Sequence, residues 1–399
     1  MNIYERFGVK PIFNLCGYTT RFGGAPMEKE ALQAMYEAAG YSVRLDELQA
    51  AASKVISEAT NAEAGIVTSG AAGALTLGTA ACICGYNVGK MNRLPDTTGI
   101  ANEVIMPQHH ISGYSHAIKA AGAKIIGVGI PNDTPAPDEI PPVSTHDLEA
   151  AINENTVAVA YAVRPGSNPP LQEVIEAGHK HNLPVLVDAA AQVPPVKNLC
   201  RFIDMGADLV CFSGGKGIRG PQASGILCGK KELISSAVLQ MLDMAGVPYE
   251  RWDPPRSLIP KEKLLGKPEH GIARSAKASK EAIIGLLVAL QNLTEDKFLN
   301  DKEYYNGLLG IIGNYIKDIP SVTLSRSEDY QEGFPLLEVF IDEKKSAKNA
   351  FQVADILRRQ GIYIRDNKLN QGCIAIHPVC LDEETAYFVA EKLFSIISK

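Results

Sequence analysis

Between about residue 50 and residue 240, short β-rich runs alternate with helix-forming stretches, and this alternation decides the fold class. Gly65-Ile66-Val67-Thr68, Glu103-Val104-Ile105-Met106, Lys124 to Val128 and Thr156 to Tyr161 read as strands, followed by strands that end at Asp188 and near Phe212. Ala50 to Ala59, a Gly/Ala-rich stretch through Cys84, Gly113 to Ala121, Leu148 to Asn153 and Leu171 to His181 read as helices. The expectation is an α/β domain, a mainly parallel sheet with helices on both faces. In such a sheet the ligand crevice lies beyond the carboxyl ends of the strands. Ser69, His109, His110, Asp188 and Lys216 all fall at those ends.

With 399 residues the chain exceeds one typical domain and has room for a large core. Residues 1–45 are expected to form an N-terminal segment contributing to the active site, 46–260 a large domain, and 261–399 a linking helix with a smaller α+β domain. The border is drawn through Trp252 to Pro268, where Pro254-Pro255 and Pro260 interrupt regular structure. Beyond it Ser279 to Leu293 reads as an amphipathic helix. Leu336 to Ile341, Ile362 to Ile364 and Cys373 to Ile376 read as strands. Pro131 to Pro142 reads as an irregular surface connection.

A formal net charge of −6 argues against a nucleic-acid partner. No apolar run reaches the length of a membrane span. Met1-Asn2-Ile3-Tyr4-Glu5-Arg6 lacks the basic-then-apolar order of a secretory signal. The eight cysteines form no C-x-x-C pair and sit mostly in apolar runs, so they read as small buried hydrophobes in a reducing cytoplasm. No metal site is expected.

Two strand ends carry the chemistry. Val185-Leu186-Val187 closes on Asp188 and continues Ala189-Ala190-Ala191-Gln192. Leu209-Val210-Cys211-Phe212 runs into Ser213-Gly214-Gly215-Lys216, with the lysine 28 residues after the aspartate. Each residue type has an ordinary use as well: strand-end aspartates cap helices, and lysines beside glycines sit in surface loops. Together they suit pyridoxal 5′-phosphate (PLP). The Lys216 amine condenses with the cofactor aldehyde, and Asp188 keeps the pyridine nitrogen protonated so that the ring draws electrons.

A PLP site also needs a phosphate cup. Thr68-Ser69-Gly70-Ala71-Ala72-Gly73 turns a strand into a helix through small residues. Its first N–H groups, the helix dipole and the Ser69 hydroxyl suit an anion, although close helix–sheet packing would demand the same residues. Ser213 offers a further hydroxyl. In Gln108-His109-His110 at most one imidazole can face the ring, because neighbouring side chains diverge; His110 is the choice, and His116 reads as structural. Ala190 can set its methyl under the ring. Gln192 either bonds the ring hydroxyl or serves as an ordinary helix-end residue.

An amino-acid substrate brings a carboxylate, which a planar guanidinium grips through two bonds. Arg21, Arg44, Arg219, Arg274 and Arg365 are the candidates. Arg21 stands in the glycine- and hydroxyl-rich loop Gly17-Tyr18-Thr19-Thr20-Arg21-Phe22-Gly23-Gly24, which brings in Tyr18 and Thr19. Arg274 precedes the amphipathic helix, and Arg365 and His377 come from the small domain.

These segments resemble the fold-type I PLP enzymes, in the selenocysteine synthase branch, and within it the D-glucosaminate-6-phosphate ammonia-lyase-like proteins. Ser213-Gly214-Gly215-Lys216 leading to Gly220-Pro221-Gln222-Ala223 is similar to the branch's lysine segment. Asn14-Leu15-Cys16-Gly17 with Arg21-Phe22-Gly23-Gly24 is similar to its opening. Gly271-Ile272-Ala273-Arg274 through Lys280-Glu281-Ala282-Ile283-Ile284-Gly285-Leu286 is similar to its helix entry. The resemblance implies a homodimer or larger homo-oligomer with the site at the subunit interface, and the lysine, aspartate and phosphate-cup roles given above. It also implies an Arg274 that reaches the cofactor or substrate region. The family's tRNA-binding extension has no counterpart before the core, so selenium transfer is not expected. Ile272-Ala273-Arg274-Ser275 and Ala223-Ser224-Gly225 depart from the family pattern at positions that bear on the substrate.

The expected activity is α,β-elimination on a small hydroxy- or otherwise β-substituted amino acid or amino sugar acid. Lys216 removes the Cα proton, a β-group leaves, and the enamine hydrolyses to a 2-oxo acid and ammonia. Aldol cleavage, racemisation and transamination share the first step and stand as alternatives. So does a non-catalytic regulatory protein of the same fold, although such a protein has no chemical need for both Lys216 and Asp188. A nucleotide-binding loop would need G-x-G-x-x-G or G-K-[ST], and Gly70-Ala71-Ala72-Gly73 is neither.

Overall fold

A computed structural model describes residues 2–130, 143–164, 166–328 and 333–398. The surface connection expected over Pro131 to Pro142 lies outside the described residues. Counted along the chain, the strands are β1 (Phe13–Leu15), β2 (Ala64–Thr68), β3 (Glu103–Pro107), β4 (Lys124–Val128), β5 (Thr156–Ala162), β6 (Val185–Asp188), β7 (Leu209–Ser213), β8 (Gly225–Gly229), β9 (Val322–Glu328), β10 (Pro335–Ile341), β11 (Ile362–Ile364) and β12 (Cys373–Ile376). The chain divides into two compact units, residues 27–293 and residues 1–26 with 294–399.

The larger unit holds a seven-stranded sheet in the order β2-β8-β7-β6-β5-β3-β4. The pairs β3–β4, β3–β5, β5–β6 and β6–β7 are parallel, whereas β8 runs antiparallel to both β2 and β7. Six strands therefore point the same way, and their carboxyl ends share one edge. Ala64–Thr68 and Glu103–Pro107 are buried along their whole length, the mark of strands covered on both faces. Two apolar cores lie on the two faces. One gathers Leu75, Leu77, Met106, Leu186 and Leu227; the other gathers Ile56, Val159, Val187, Val210 and Phe212.

Helix α1 (Lys29–Ala39) and helix α2 (Leu45–Thr60) precede β2, and helix α3 (Gly70–Cys84) follows it. Helix α3 is buried nearly all round, and this explains its small residues. A Cβ on Gly78 would already touch Leu186, Leu209 and Leu227 at 3.1–3.4 Å. Helix and sheet thus pack at a separation that only a small side chain permits.

Several features differ from the expectations: the border falls after Leu293 and not within Trp252 to Pro268, residues 1–26 group with 294–399 and not with 27–45, and β1 and β9 carry no clear strand pattern in the sequence. Strand β8 was not read from sequence, because its five residues begin and end in glycine. Both glycines are there for space: a Cβ on Gly229, which has φ +150°, would lie 2.0 Å from the Asp208 carbonyl oxygen, and one on Gly225 2.4 Å from the Gly70 carbonyl carbon. Helix Lys280–Asn292, expected as a linking helix ahead of the small domain, belongs to the larger unit. The Lys280 amine donates to the Ala38 and Ala39 carbonyls and so closes the C-terminus of α1.

The smaller unit contains an antiparallel sheet, β12-β10-β9, and the parallel pair β1–β11. Helices Glu295–Ile316, Ala350–Arg359 and Glu383–Ile397 accompany them. Among the described residues no helix is long and apolar enough to cross a membrane.

Candidate active site

Strands β6 and β7 pair so that Asp188 stands opposite Cys211. One carboxylate oxygen of Asp188, Oδ1, accepts the Ala190 N–H at 3.1 Å and the Cys211 thiol at 3.5 Å. That thiol is fully buried; burial first, then the adjacent carboxylate, push its pKa well above the ordinary thiol value. It is a donor that stays protonated.

Past β7 the chain folds back on itself. The Gly214 N–H donates to the Ser224 carbonyl and the Gly220 N–H to the Gly214 carbonyl, both at 2.8 Å. A Cβ on Gly215 would lie 2.3 Å from Gln222 Cα, and one on Gly217 would lie 2.0 Å from the Val193 carbonyl oxygen. The glycines around Lys216 are therefore demanded by close backbone approach. Lys216 itself is half-buried. The Arg219 N–H donates to the Lys216 carbonyl at 2.9 Å, with Arg219 at φ +59°. A non-glycine residue in that left-handed region costs roughly 1–2 kcal/mol. The Arg219 guanidinium pairs with Glu28 at 2.6 Å, and both side chains are largely buried.

At the end of β3 the two histidines part. His110 has no exposed surface, and His109 keeps some. Burial, reinforced by His109 and Arg164, lowers the pKa of His110 to about 3. The neutral ring accepts the Ala162 N–H on Nδ1 at 3.4 Å, which puts the ring proton on Nε2. Among the described residues no acceptor meets that Nε2. His110, Asp188, Ala162 and Tyr114 line one small cavity with Leu75 and Leu186. Arg164, which sequence reasoning did not single out, donates to the His109 and His110 carbonyls at 3.3 and 3.2 Å and holds the turn. Tyr114 and His116 are exposed.

The start of α3 sits at the same sheet edge. Ser69 makes no side-chain capping bond, and no atom lies near the space a Gly70 Cβ would fill. Gly70 and Ala71 are half-exposed. The first-turn N–H groups and the helix dipole therefore face open space suited to an anion. Ser213 and Ala190 are half-buried neighbours, joined by a bond from the Ser213 N–H to the Ala190 carbonyl at 3.3 Å. The Gln192 amide donates to the Val163 carbonyl at 3.2 Å.

The arginines separate by surroundings. Arg44 lies on the surface with Asp46 and Glu47. Arg274 pairs with Asp243 at 2.9 Å in the larger unit. In the smaller unit, Arg365 donates to the Cys16 carbonyl at 2.9 Å, and a Cβ on Gly17 (φ +91°) would come within 2.9 Å of its Nη2 and 3.1 Å of His377. His377 is buried, its ring 5.8 Å from that of Tyr18. The Thr19 N–H donates to the Gly17 carbonyl at 2.7 Å. Arg21 is exposed, lies over the Phe22 ring at 4.8 Å, and opposes the burial-driven rise in the Cys16 pKa. Tyr18, Thr19, Arg365 and His377 thus come together around Gly17, with Arg21 at the margin.

Asp188, Lys216 and the open helix start fit PLP: a carboxylate with one oxygen already occupied, an amine on a rigid loop, and an uncapped set of N–H donors share one edge. Comparison with known proteins agrees. Residues 134–381 match the Aminotransferase class-V family, and residues 54–213 match the DegT/DnrJ/EryC1/StrS aminotransferase family. The chain is 28% identical to D-glucosaminate-6-phosphate ammonia lyase of Salmonella typhimurium, over 98% of its length and 96% of the relative's. It is 27% identical to the 5'-C-glycyluridine monooxygenase-decarboxylase of a Streptomyces species, over 99% and 92%. The solved structure of a D-glucosaminate-6-phosphate ammonia-lyase superposes with a TM-score of 0.80 at 26% identity, covering 99% of this chain and 98% of that one. The chain belongs to the Aminotransferase class-V family and is a PLP-dependent enzyme of fold-type I.

Proposed function

We propose that this enzyme is an ammonia-lyase, acting by α,β-elimination on a small β-hydroxy amino acid or amino sugar acid. The observation that carries the reading is the pairing of β6 with β7, which sets Asp188 and the Lys216 loop at neighbouring strand ends. The full-length similarity to D-glucosaminate-6-phosphate ammonia lyase supports elimination as the outcome.

Bound PLP supplies an electron sink for the pair left on the substrate Cα. The Asp188 oxygen not engaged by Ala190 and Cys211 would accept the ring N–H. The Gly70 and Ala71 N–H groups, with Ser69 and Ser213, would hold the phosphate. His110, which lines one cavity with Asp188, is the histidine this reading sets beside the ring, and His109 is its more exposed neighbour. The Lys216 amine takes the Cα proton and returns it to the departing β-oxygen. Arg365 is the candidate for the substrate carboxylate, with Tyr18, Thr19, Arg21 and His377 as its neighbours and Arg274 as a further guanidinium. A homodimer or larger homo-oligomer is part of this reading. It is supported by the exposed Leu32, Tyr36, Tyr41 and Val43 in and just after α1. The eight free cysteines support a cytoplasmic setting.

The test is incubation of the PLP-loaded enzyme with D- and L-β-hydroxy amino acids and with D-glucosaminate 6-phosphate. Ammonia and a 2-oxo acid formed without an added acceptor establish the lyase; turnover only with a 2-oxo acid acceptor replaces it with transamination. The equally full-length similarity to a monooxygenase-decarboxylase favours one second reading, oxygen-dependent decarboxylation. Oxygen uptake with release of carbon dioxide marks that outcome.

A further inference from the structure

We propose that Arg219 is a positioning residue for Lys216, acting through its ion pair with Glu28; the inference rests on Lys216 being the cofactor lysine. Three observations converge on it. The Arg219 N–H closes a turn onto the Lys216 carbonyl at 2.9 Å, so the two backbones move together. Arg219 adopts φ +59°, a conformation that favours glycine, although the loop uses glycine at positions 214, 215, 217 and 220. A strained non-glycine residue beside a reactive side chain needs the surrounding structure to hold it there.

The side chain supplies that hold. Arg219 Nη1 lies 2.6 Å from Glu28 Oε1, with 17% and 18% of the two side chains exposed. Glu28 immediately precedes α1, and α1 is fastened at its other end by Lys280. The Glu28 carboxylate makes no capping bond to its own helix. The pair thus ties the Lys216 turn to a helix anchored at both ends. An arginine so engaged is a clamp on the lysine loop, not a gripper of substrate carboxylate. Substituting it should alter how Lys216 holds the cofactor, beyond any change in stability.

The experiment uses PLP-loaded Arg219→Met, Arg219→Lys and Glu28→Gln enzymes and an Arg219→Gly/Glu28→Gln double variant. Two readouts are taken well below each variant's melting temperature: the visible circular dichroism of the bound cofactor, and the rate at which hydroxylamine removes it. Arg219→Met and Glu28→Gln are expected to weaken the dichroic band and speed release by about tenfold, the scale of a lost charged contact. Arg219→Lys keeps the charge and should stay near the parent enzyme. The double variant removes both the strained residue and the orphaned charge, so it should regain thermal stability while keeping the altered band and fast release. Variants that melt earlier but retain the parent band and release rate would overturn the proposal and make the pair a purely structural one. If Arg219→Met does not fold, Glu28→Gln and the double variant decide the matter. A parent enzyme with no cofactor band would instead defeat the reading of Lys216 itself.

Discussion

The buried thiol of Cys211 donates to the Asp188 carboxylate across the β6–β7 pair at 3.5 Å. With the Ala190 N–H it occupies Oδ1, and the proposed function gives the other oxygen to a ring nitrogen. Cys211→Ala removes that donor and is expected to weaken PLP binding by about 0.5–1.5 kcal/mol, a few-fold to tenfold in the dissociation constant. Cys211→Ser keeps a donor and should bind PLP within about twofold of the parent. Equilibrium titration of the cofactor-free protein measures both.

At the opposite end of the same strands, Asp208 is almost fully buried and satisfies three partners. It accepts from Lys230 at 2.5 Å, His179 at 2.9 Å and the Val185 N–H at 2.7 Å. Asp208→Ala strands the buried Val185 N–H at the amino edge of the sheet, while Lys230 and His179 stay within reach of water, and is expected to cost about 1–3 kcal/mol in urea unfolding. The carboxyl edge is untouched, so the fraction that remains folded should retain the cofactor band.

His110 makes stability depend on pH. Its folded pKa, about 3, lies below the ordinary 6.5, so between these values the unfolded chain binds one more proton than the folded one. The stability it permits is complete above about pH 6.5 and falls as the pH drops toward 3. The loss is about 2 kcal/mol at pH 5. In a series of melting curves, His110→Gln should show a shallower decline between pH 6.5 and 5 than the parent.

Arg365 tests the substrate side. Arg365→Lys keeps the charge but loses the planar fork, and a point charge cannot make two parallel bonds to a carboxylate. The expected result is a rise in KM of about tenfold with kcat changed less, read from steady-state kinetics on any substrate that releases ammonia.

The parallel strands were legible because each is a short apolar run closed by polar or small residues, and β3 to β7 fall where that pattern puts them. Strand β8 was not, since its glycines serve contacts with Asp208 and Gly70 that are remote in sequence. Asp188 and Lys216 could be picked out because the proposed chemistry requires both. The difference in burial between His109 and His110 could not: it depends on the Ala162 N–H and the Arg164 guanidinium arriving from β5 and its exit. The same holds for Arg219. As one arginine among several it looked like a substrate residue, and only its turn onto Lys216 and its pairing with Glu28 give it a place. Long-range hydrogen bonds and ion pairs leave no periodic trace in a sequence.

The most direct test compares the absorbance spectra of the parent enzyme and Lys216→Ala after both are loaded with PLP and dialysed. The parent should hold a visible band from the lysine-linked cofactor. Lys216→Ala should fold with a similar melting temperature and lack that band. An identical band in the variant, or no band in the parent even after PLP is added, would contradict the assignment of Lys216.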